Sequence, residues 1–262
     1  MASFDIIDAA GYAYRLLWAE RRYLMRLAFV PVMVQIACHS GVMIFGWGQD
    51  FIKQALIMLP SYFTEGWLLA HLTRLVFLDQ RWPFRPTGDR SRDMAMLQDR
   101  AQGIMSGTLF YVVTRFLMAG LLGGVYWFSK QVTPETGDDV PPAAALAAVG
   151  MLLFLVWAFR FLWLYIPASL NAPVKDFLIA IRGFSVSFYM MGAWLIALIP
   201  LLMLDVFIMS LLLSLSGSLA AVPLPLKIIM EILQALMDLT ILMLATAAIA
   251  HGIRSMMTRP PL

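Results

Sequence analysis

Residues 72–102 read LTRLVFLDQRWPFRPTGDRSRDMAMLQDRAQ, and six of the chain's nineteen basic residues are arginines of this stretch. The sequence on either side of it is apolar for most of its length. Basic residues collect in the cytoplasmic loops of membrane proteins, so this stretch predicts which side of a membrane the rest of the chain faces. We call residues 74–100 the arginine segment.

The composition predicts a membrane protein. The 262 residues are 61% hydrophobic and 13% charged, with a mean hydropathy of +0.79, whereas soluble domains have about 25% charged residues. The pI near 9.1 does not indicate nucleic-acid binding, because the basic residues cluster at the ends of apolar runs. Anionic lipid headgroups are the expected counter-charge. Cys38 is the single cysteine, which excludes an internal disulfide and multi-cysteine metal sites.

Residues 1–22 are predicted to form an amphipathic helix on the membrane surface, with Ser3 as a candidate N-cap. A solvated lead-in to the first span is the alternative, and the sequence leaves both open. Asp5, Asp8 and Glu20 precede any long apolar run, so no cleaved signal peptide is expected. One face has apolar or small residues at helical spacing, and the basic residues lie off it, where lipid phosphates can reach them. The residues of the apolar face are Phe4, Ile7, Gly11, Tyr14, Leu17 and Trp18, and the basic residues outside it are Arg15, Arg21 and Arg22.

Residues 23–262 are predicted to form one transmembrane domain, so the expected fold class is an all-α, polytopic membrane helix bundle. Each long apolar run reaches the roughly 20 residues that one crossing requires. Pro60 and Gly66 are expected to bend the second span, and Asp89 or Ser91 to cap a helix that continues into the third. About six spans are predicted, at 23–48, 51–78, 104–129, 143–170, 187–213 and 226–250.

The distribution of basic residues predicts that both termini are cytoplasmic. On that side lie four Lys and Arg residues in the N-terminal piece up to Arg26, six in the arginine segment, two between spans four and five, and two in the tail. The opposite side has three, and such an asymmetry sets the orientation of a membrane protein. Arg81 and Arg85 are expected to join the N-terminal arginines in contacting lipid headgroups. The predicted location is the bacterial inner membrane.

Three short stretches around the junction of predicted spans four and five resemble a known family. They read YIPA at 165–168, FLIAIRGF at 177–184 and YMMGAW at 189–194. This pattern resembles six-helix bacterial inner-membrane proteins of the YciC-like type, which are similar to the membrane domain that some bacteria fuse to a glycerophosphodiester phosphodiesterase. Phe184 stands where Trp is common in these families, and the chain has no catalytic phosphodiesterase domain. The resemblance implies a fold and no established activity.

Ionisable residues fall near the middle or inner third of three predicted spans: Glu65, Arg115 and Asp238. A charge at the centre of a membrane helix costs about 2.5–3.5 kcal/mol on insertion scales, so these residues are default functional candidates. A rise of about 1.5 Å per residue places the three at similar depth. Arg115 is therefore predicted to pair with Asp238 or Glu65. Arg160 is close enough to the inner surface for its guanidinium to reach water.

Three further charged residues belong to the outer half of predicted spans five and six: Asp205, Glu231 and Lys227. Two interpretations of the intramembrane charges stay open. In the structural one, buried pairs fix the order and register of the helices. In the functional one, the carboxylates form part of a path for ions, protons or lipid headgroups. Such a path requires helix breaks near the midplane, for which Pro60 and Pro200 are the candidates.

Motifs of catalysis and of cofactor binding are missing from the sequence. It contains no nucleotide-binding loop, nucleophile elbow or zinc signature, so enzymatic activity is not expected. His71 and His251 fall in the inner halves of their spans, where two histidines could ligate a haem. Lone intramembrane histidines more commonly bond a neighbouring helix, so no cofactor and no metal are expected.

Two functions are consistent with these observations. The first is a non-catalytic inner-membrane component that packs against lipids, a larger membrane complex or further copies of itself, because the loops are too small for a separate activity. The second is a small transporter or lipid-handling protein that uses Glu65, Arg115 and Asp238. A nucleic-acid partner is not expected for either.

Overall fold

A computed structural model describes residues 4–47, 50–84, 86–132, 142–216 and 224–258. Within these ranges the chain is all-α, as predicted. A 3₁₀ turn, Phe159–Trp163, joins α6 to α7. In chain order the helices are α1 (Ile6–Ala19), α2 (Arg21–Phe45), α3 (Phe51–Ile57), α4 (Leu59–Leu78), α5 (Arg90–Val132), α6 (Pro142–Ala158), α7 (Tyr165–Ser169), α8 (Val174–Ala180), α9 (Phe184–Ser216) and α10 (Leu224–Thr258).

Five stretches of the described residues are long and apolar enough to cross a membrane, as expected for a multi-pass membrane protein. They match the predicted first, third, fourth, fifth and sixth spans. The predicted second span corresponds to α3 and α4, which are not among the five, so a sixth crossing stays a prediction. The five stretches are Arg21–Phe45, Arg90–Trp127, Val149–Ser169, Phe184–Leu212 and Ile228–Met257.

The helix α4 is largely enclosed by α2, α5 and α10. The helical structure of the predicted second span is interrupted at Met58, which lies between α3 and α4 and two residues before Pro60 in the first turn of α4. The helix α4 continues through Gly66 without a break. A Cβ at Gly66 would lie 3.1 Å from the Cα of Thr108, so this glycine permits close packing of α5 on α4.

The helix α5 continues from the arginine segment through the third span without a break, as predicted. Asp89 caps it by accepting hydrogen bonds from the backbone N–H of Ser91 and of Arg92. Gly103 faces α7, and a Cβ there would lie 2.5 Å from the carbonyl oxygen of Ser169. Gly107, one helical turn further on, also lies against Ser169, so these two glycines serve packing within the chain.

The helix α1 packs against α9 and α10 through a face of small residues, Ala9, Ala10 and Ala13. Its N-cap is Asp5, whose Oδ1 accepts from the backbone N–H of Ile7 at 2.8 Å; the predicted cap Ser3 lies outside the described residues. The predicted apolar face is split by this packing. Phe4 is buried, whereas Ile7 and Trp18 are 73% and 71% exposed. Contact between α1 and a membrane surface stays a prediction.

The predicted fourth span is not one regular helix. It comprises α6, the 3₁₀ turn and α7, which together end at Ser169. Arg160 lies in the 3₁₀ turn, and the prediction that its guanidinium reaches water is wrong. Its side chain is buried, and Nη1 donates to the carbonyl oxygen of Ile181 at 2.9 Å. The structure instead uses this arginine to hold the end of α8 against the turn.

Candidate functional site

A cavity of about 520 Å³ lies inside the bundle, between α2, α3, α4, α5, α9, α10 and the 3₁₀ turn. All three of the predicted intramembrane charges line it. Pockets that bind small molecules are usually apolar with a few polar groups, and this cavity has that character. Its polar lining residues are Gln35, His39, Gln54, Glu65, Thr114, Arg115 and Asp238, and its aromatic ones are Tyr62, Tyr111, Phe159, Trp163, Tyr165 and Trp194.

Arg115 of α5 forms an ion pair with Glu65 of α4, with 3.4 Å between Nη2 and Oε2. Tyr111 strengthens the pair: its hydroxyl accepts from Nε of Arg115 at 2.7 Å and donates to Oε2 of Glu65 at 2.6 Å. Ser61 donates to the other oxygen, Oε1, at 2.7 Å. The carboxylate of Glu65 is therefore fully engaged by protein groups, and its charge is offset by that of Arg115.

Asp238 of α10 faces the same cavity without a Lys or Arg partner, although His39 of the same lining lies close enough to act on it electrostatically. Gln234 donates to Oδ1 at 2.8 Å, and Gln35 donates to Oδ2 at the long distance of 3.5 Å. None of the ion pairs among the described residues includes Asp238. Oε1 of Gln35 is buried and has no hydrogen-bond partner. Of the two predicted partners of Arg115, the structure therefore pairs Glu65, whereas the hydrogen-bond donors to Asp238 are the amides of Gln35 and Gln234.

Aromatic rings form part of the cavity wall around the charged groups. The guanidinium carbon of Arg115 lies 5.2 Å from the ring centroid of Tyr111 and 5.8 Å from that of Tyr62. Trp163 and Trp194 line the cavity as well. Rings at such distances attract cations through the negative charge of their faces, so Tyr62 and Tyr111 help to stabilise the charge of Arg115 at the cavity wall.

The predicted outer-half charges lie outside the lining of this cavity. Asp205 in α9 is half-buried, and its Oδ1 has no hydrogen-bond partner. Glu231 in α10 is also half-buried. The side chain of Lys227 is not among the described ones. The structure thus does not join these three residues to the cluster of Glu65 and Arg115.

The arginines predicted to contact lipid headgroups have different surroundings. Arg15 pairs with Asp8 at 3.4 Å, and Arg21 donates to the carbonyl oxygen of Trp18 at 2.8 Å. Arg22 is exposed. Arg81 forms two hydrogen bonds with Glu20 and an ion pair with Asp79, so acidic side chains already offset its charge. Arg85 lies outside the described residues.

Two arginines of the arginine segment are buried, which the sequence analysis did not predict. Arg74 is fully enclosed; it donates to the carbonyl oxygen of Ser169 at 2.9 Å and to Asp99 at 2.5 Å. Arg100 is 4% exposed and lies 3.2 Å from Nδ1 of His71. The segment therefore holds α4, α5 and α7 together.

The sequence analysis did not predict the polar residues that hydrogen-bond to Glu65, Arg115 and Asp238, although a regular spacing in the sequence indicates three of them. Each charged residue of the cluster has a polar residue one helical turn before it, where i and i+4 side chains meet on one face. These pairs are Ser61 with Glu65, Tyr111 with Arg115, and Gln234 with Asp238. Gln35 reaches the site from α2, and only the tertiary structure reveals its position.

No protein-family model, curated protein or solved structure matches this chain. The likeness to YciC-like proteins therefore stays a prediction from the residues that suggest it.

Proposed function

We propose that this chain is a small transporter or lipid-handling protein whose inner cavity binds a molecule with a positively charged amine. The observation that carries the proposal is the unequal state of the two acids in one cavity. Glu65 is neutralised by Arg115, whereas Asp238 has only amide donors. Among the Asp, Glu, Lys and Arg residues of the lining, one negative charge is left over.

The cavity's walls suit the rest of such a ligand. The rings of Trp163 and Trp194 line the same cavity as Asp238, and cations bind well in a cavity that offers both aromatic faces and a carboxylate. A volume of about 520 Å³ is within the range of roughly 300–1,000 Å³ of small-molecule pockets. The ligand class is therefore an organic amine with an apolar body.

The membrane setting is part of the same proposal. It places six spans in the bacterial inner membrane with both termini in the cytoplasm, and is supported by the one-sided distribution of basic residues. The YciC-like layout suggested by residues 165–194 agrees with such an arrangement. The other expectation, a non-catalytic component packing against lipids or a larger complex, stays a prediction; a partner that co-purifies in equal amount would favour it.

The test compares two probes that differ in charge alone, phenethylamine and phenethyl alcohol. The amine is expected to raise the unfolding temperature of the purified protein in mild detergent, and the alcohol is not. Asp238→Asn is expected to weaken the response to the amine about tenfold or more, because a hydrogen bond between charged groups contributes about 1.5–3 kcal/mol and about 1.4 kcal/mol corresponds to tenfold. Asp176→Asn, an exposed acid in α8, is the matched control. Equal stabilisation by both probes, or an unchanged response of the Asp238 variant, would contradict the proposal.

A further inference from the structure

An open groove with an excess of positive charge lies where α1 meets α2. Arg21, Arg22 and Arg26 contribute to its lining, and all three are exposed. The acidic residue of the lining is Glu20. Arg81 already holds that carboxylate with hydrogen bonds of 2.7 and 3.2 Å, so Glu20 does not offset the charges on α2.

An apolar cleft of about 460 Å³ between α4 and α5 adjoins this groove. Trp67 and Trp82 line both, and so form the boundary between them. The cleft is open on the outer surface of the bundle, where Phe63 and Met105 are 42% and 53% exposed. Its other apolar lining residues are Leu97, Ala101 and Ile104.

Arg100 is a buried cation at the junction of groove and cleft, and 96% of its surface is covered. Its guanidinium carbon lies 5.3 Å from the ring of Trp82, and Tyr23 lies beside it. Its hydrogen-bond partners are neutral: the carbonyl oxygen of Arg81 at 2.8 Å and Nδ1 of His71 at 3.2 Å.

Two of its features indicate a ligand. Nε of Arg100 is buried without a hydrogen-bond partner, and none of the ion pairs among the described residues includes this arginine. A buried charge without a counter-charge is costly. An anion bound nearby would offset it.

We propose that the groove and the cleft together bind an anionic phospholipid. The phosphate lies beside Trp82, which contacts Arg100 and lines the groove together with Arg22 and Arg26, and an acyl chain lies in the apolar cleft. Basic pockets near the ends of membrane helices recognise acidic headgroups, and Trp is the residue that favours the boundary between headgroups and hydrocarbon. This site is separate from the cavity at Asp238 and does not depend on the function proposed for it.

The headgroup part is tested by retention of phosphatidylglycerol. The full chain is purified in mild detergent with equal amounts of phosphatidylglycerol and phosphatidylcholine, and native mass spectrometry counts the lipids retained. The parent is expected to retain phosphatidylglycerol in preference. The double variant Arg22→Gln/Arg26→Gln is expected to lose about 25-fold of this preference, because each arginine near an anionic lipid contributes about fivefold.

The matched control removes the same charge elsewhere. Arg90→Gln/Arg92→Gln alters two exposed arginines at the start of α5, outside the groove lining, and is expected to retain the preference. All four substituted side chains are exposed, so these variants are expected to unfold at the parent's temperature. An equal preference in the parent and the Arg22/Arg26 variant, an equal loss in the control, or equal retention of both lipids by the parent would overturn the proposal.

The acyl-chain part is tested by filling the cleft. Ala101→Trp places a bulky ring in it, whereas Ala95→Trp makes the same change at an exposed position of α5 outside the lining. The first variant is expected to retain at most about a tenth of the parent's phosphatidylglycerol, and the second is expected to match the parent. Full retention by Ala101→Trp would show that no acyl chain occupies the cleft.

Discussion

The guanidinium of Arg115 lies 3.4 Å from the carboxylate of Glu65, and the hydroxyl of Tyr111 joins the two by hydrogen bonds of 2.7 and 2.6 Å. The carboxylate is buried, whereas the side chain of Arg115 is 40% exposed to the cavity. The pair thus connects α4 to α5 at the wall of the candidate site.

Removing one member of this pair is expected to destabilise the protein. Arg115→Leu should lower the free energy of unfolding by about 2 kcal/mol, less than for a fully buried pair because the cavity partly exposes the arginine. The double variant Arg115→Leu/Glu65→Leu should lose less than the sum of the two single variants, since neither charge is then left alone. Unfolding in graded SDS measures both. A single variant as stable as the parent would refute the structural importance of the pair.

Gly107 of α5 packs directly against Ser169 of α7, so Gly107→Ala is expected to be destabilising. The added Cβ would overlap the side chain of Ser169, whose hydroxyl is held by the carbonyl oxygen of Tyr165 at 2.6 Å. Overpacking of this kind costs about 1–3 kcal/mol. The control is Gly120→Ala in the same helix, where nothing lies within 4 Å of the new Cβ. It should be neutral or stabilise by up to about 1 kcal/mol, and equal effects of the two substitutions would contradict the packing.

The free energy of unfolding is expected to fall at acidic pH, because Glu20 becomes protonated. The hydrogen bond from Arg81 lowers the pKa of this carboxyl below its ordinary value, against the opposing effect of burial. A carboxyl whose pKa is lower in the folded state stabilises that state above its unfolded pKa, and this contribution is lost as the pH falls through the folded pKa. Between about pH 6 and about pH 3, the parent should lose about 1 kcal/mol more than Glu20→Gln. Parallel pH profiles of unfolding temperature for both proteins would exclude this contribution.

The number of crossings decides where the C-terminus lies. If α3 and α4 together cross the membrane, the six spans place a fluorescent protein fused after Leu262 in the cytoplasm, where it fluoresces. With five spans the two ends lie on opposite sides. A matched alkaline phosphatase fusion after Leu262 should be inactive, whereas one inserted after Trp47 should be active. An active phosphatase after Leu262 would rule out the six-span arrangement.

Local sequence features predicted much of the helical framework. Apolar runs of sufficient length predicted about six spans, since desolvated backbone must form its own hydrogen bonds, and the described residues contain five helices capable of crossing a membrane. The N-cap at Asp89 and the interruption of the helix near Pro60 were also predictable from the residue types at these positions. The irregular 3₁₀ turn at Phe159–Trp163 was not predicted, because nothing in its apolar composition distinguishes it from a regular span.

The sequence by itself determined which residues carry charge inside apolar stretches, and hence that Glu65, Arg115 and Asp238 needed partners. Only the tertiary structure decided that Arg115 pairs with Glu65 and that Asp238 accepts hydrogen bonds from glutamine amides of α2 and α10. Depth along a helix can be counted from the sequence, but the rotation of each helix about its axis depends on packing between distant segments. For the same reason, the burial of Arg74 and Arg100 could not be read from a stretch that looks, in sequence, like an exposed basic loop.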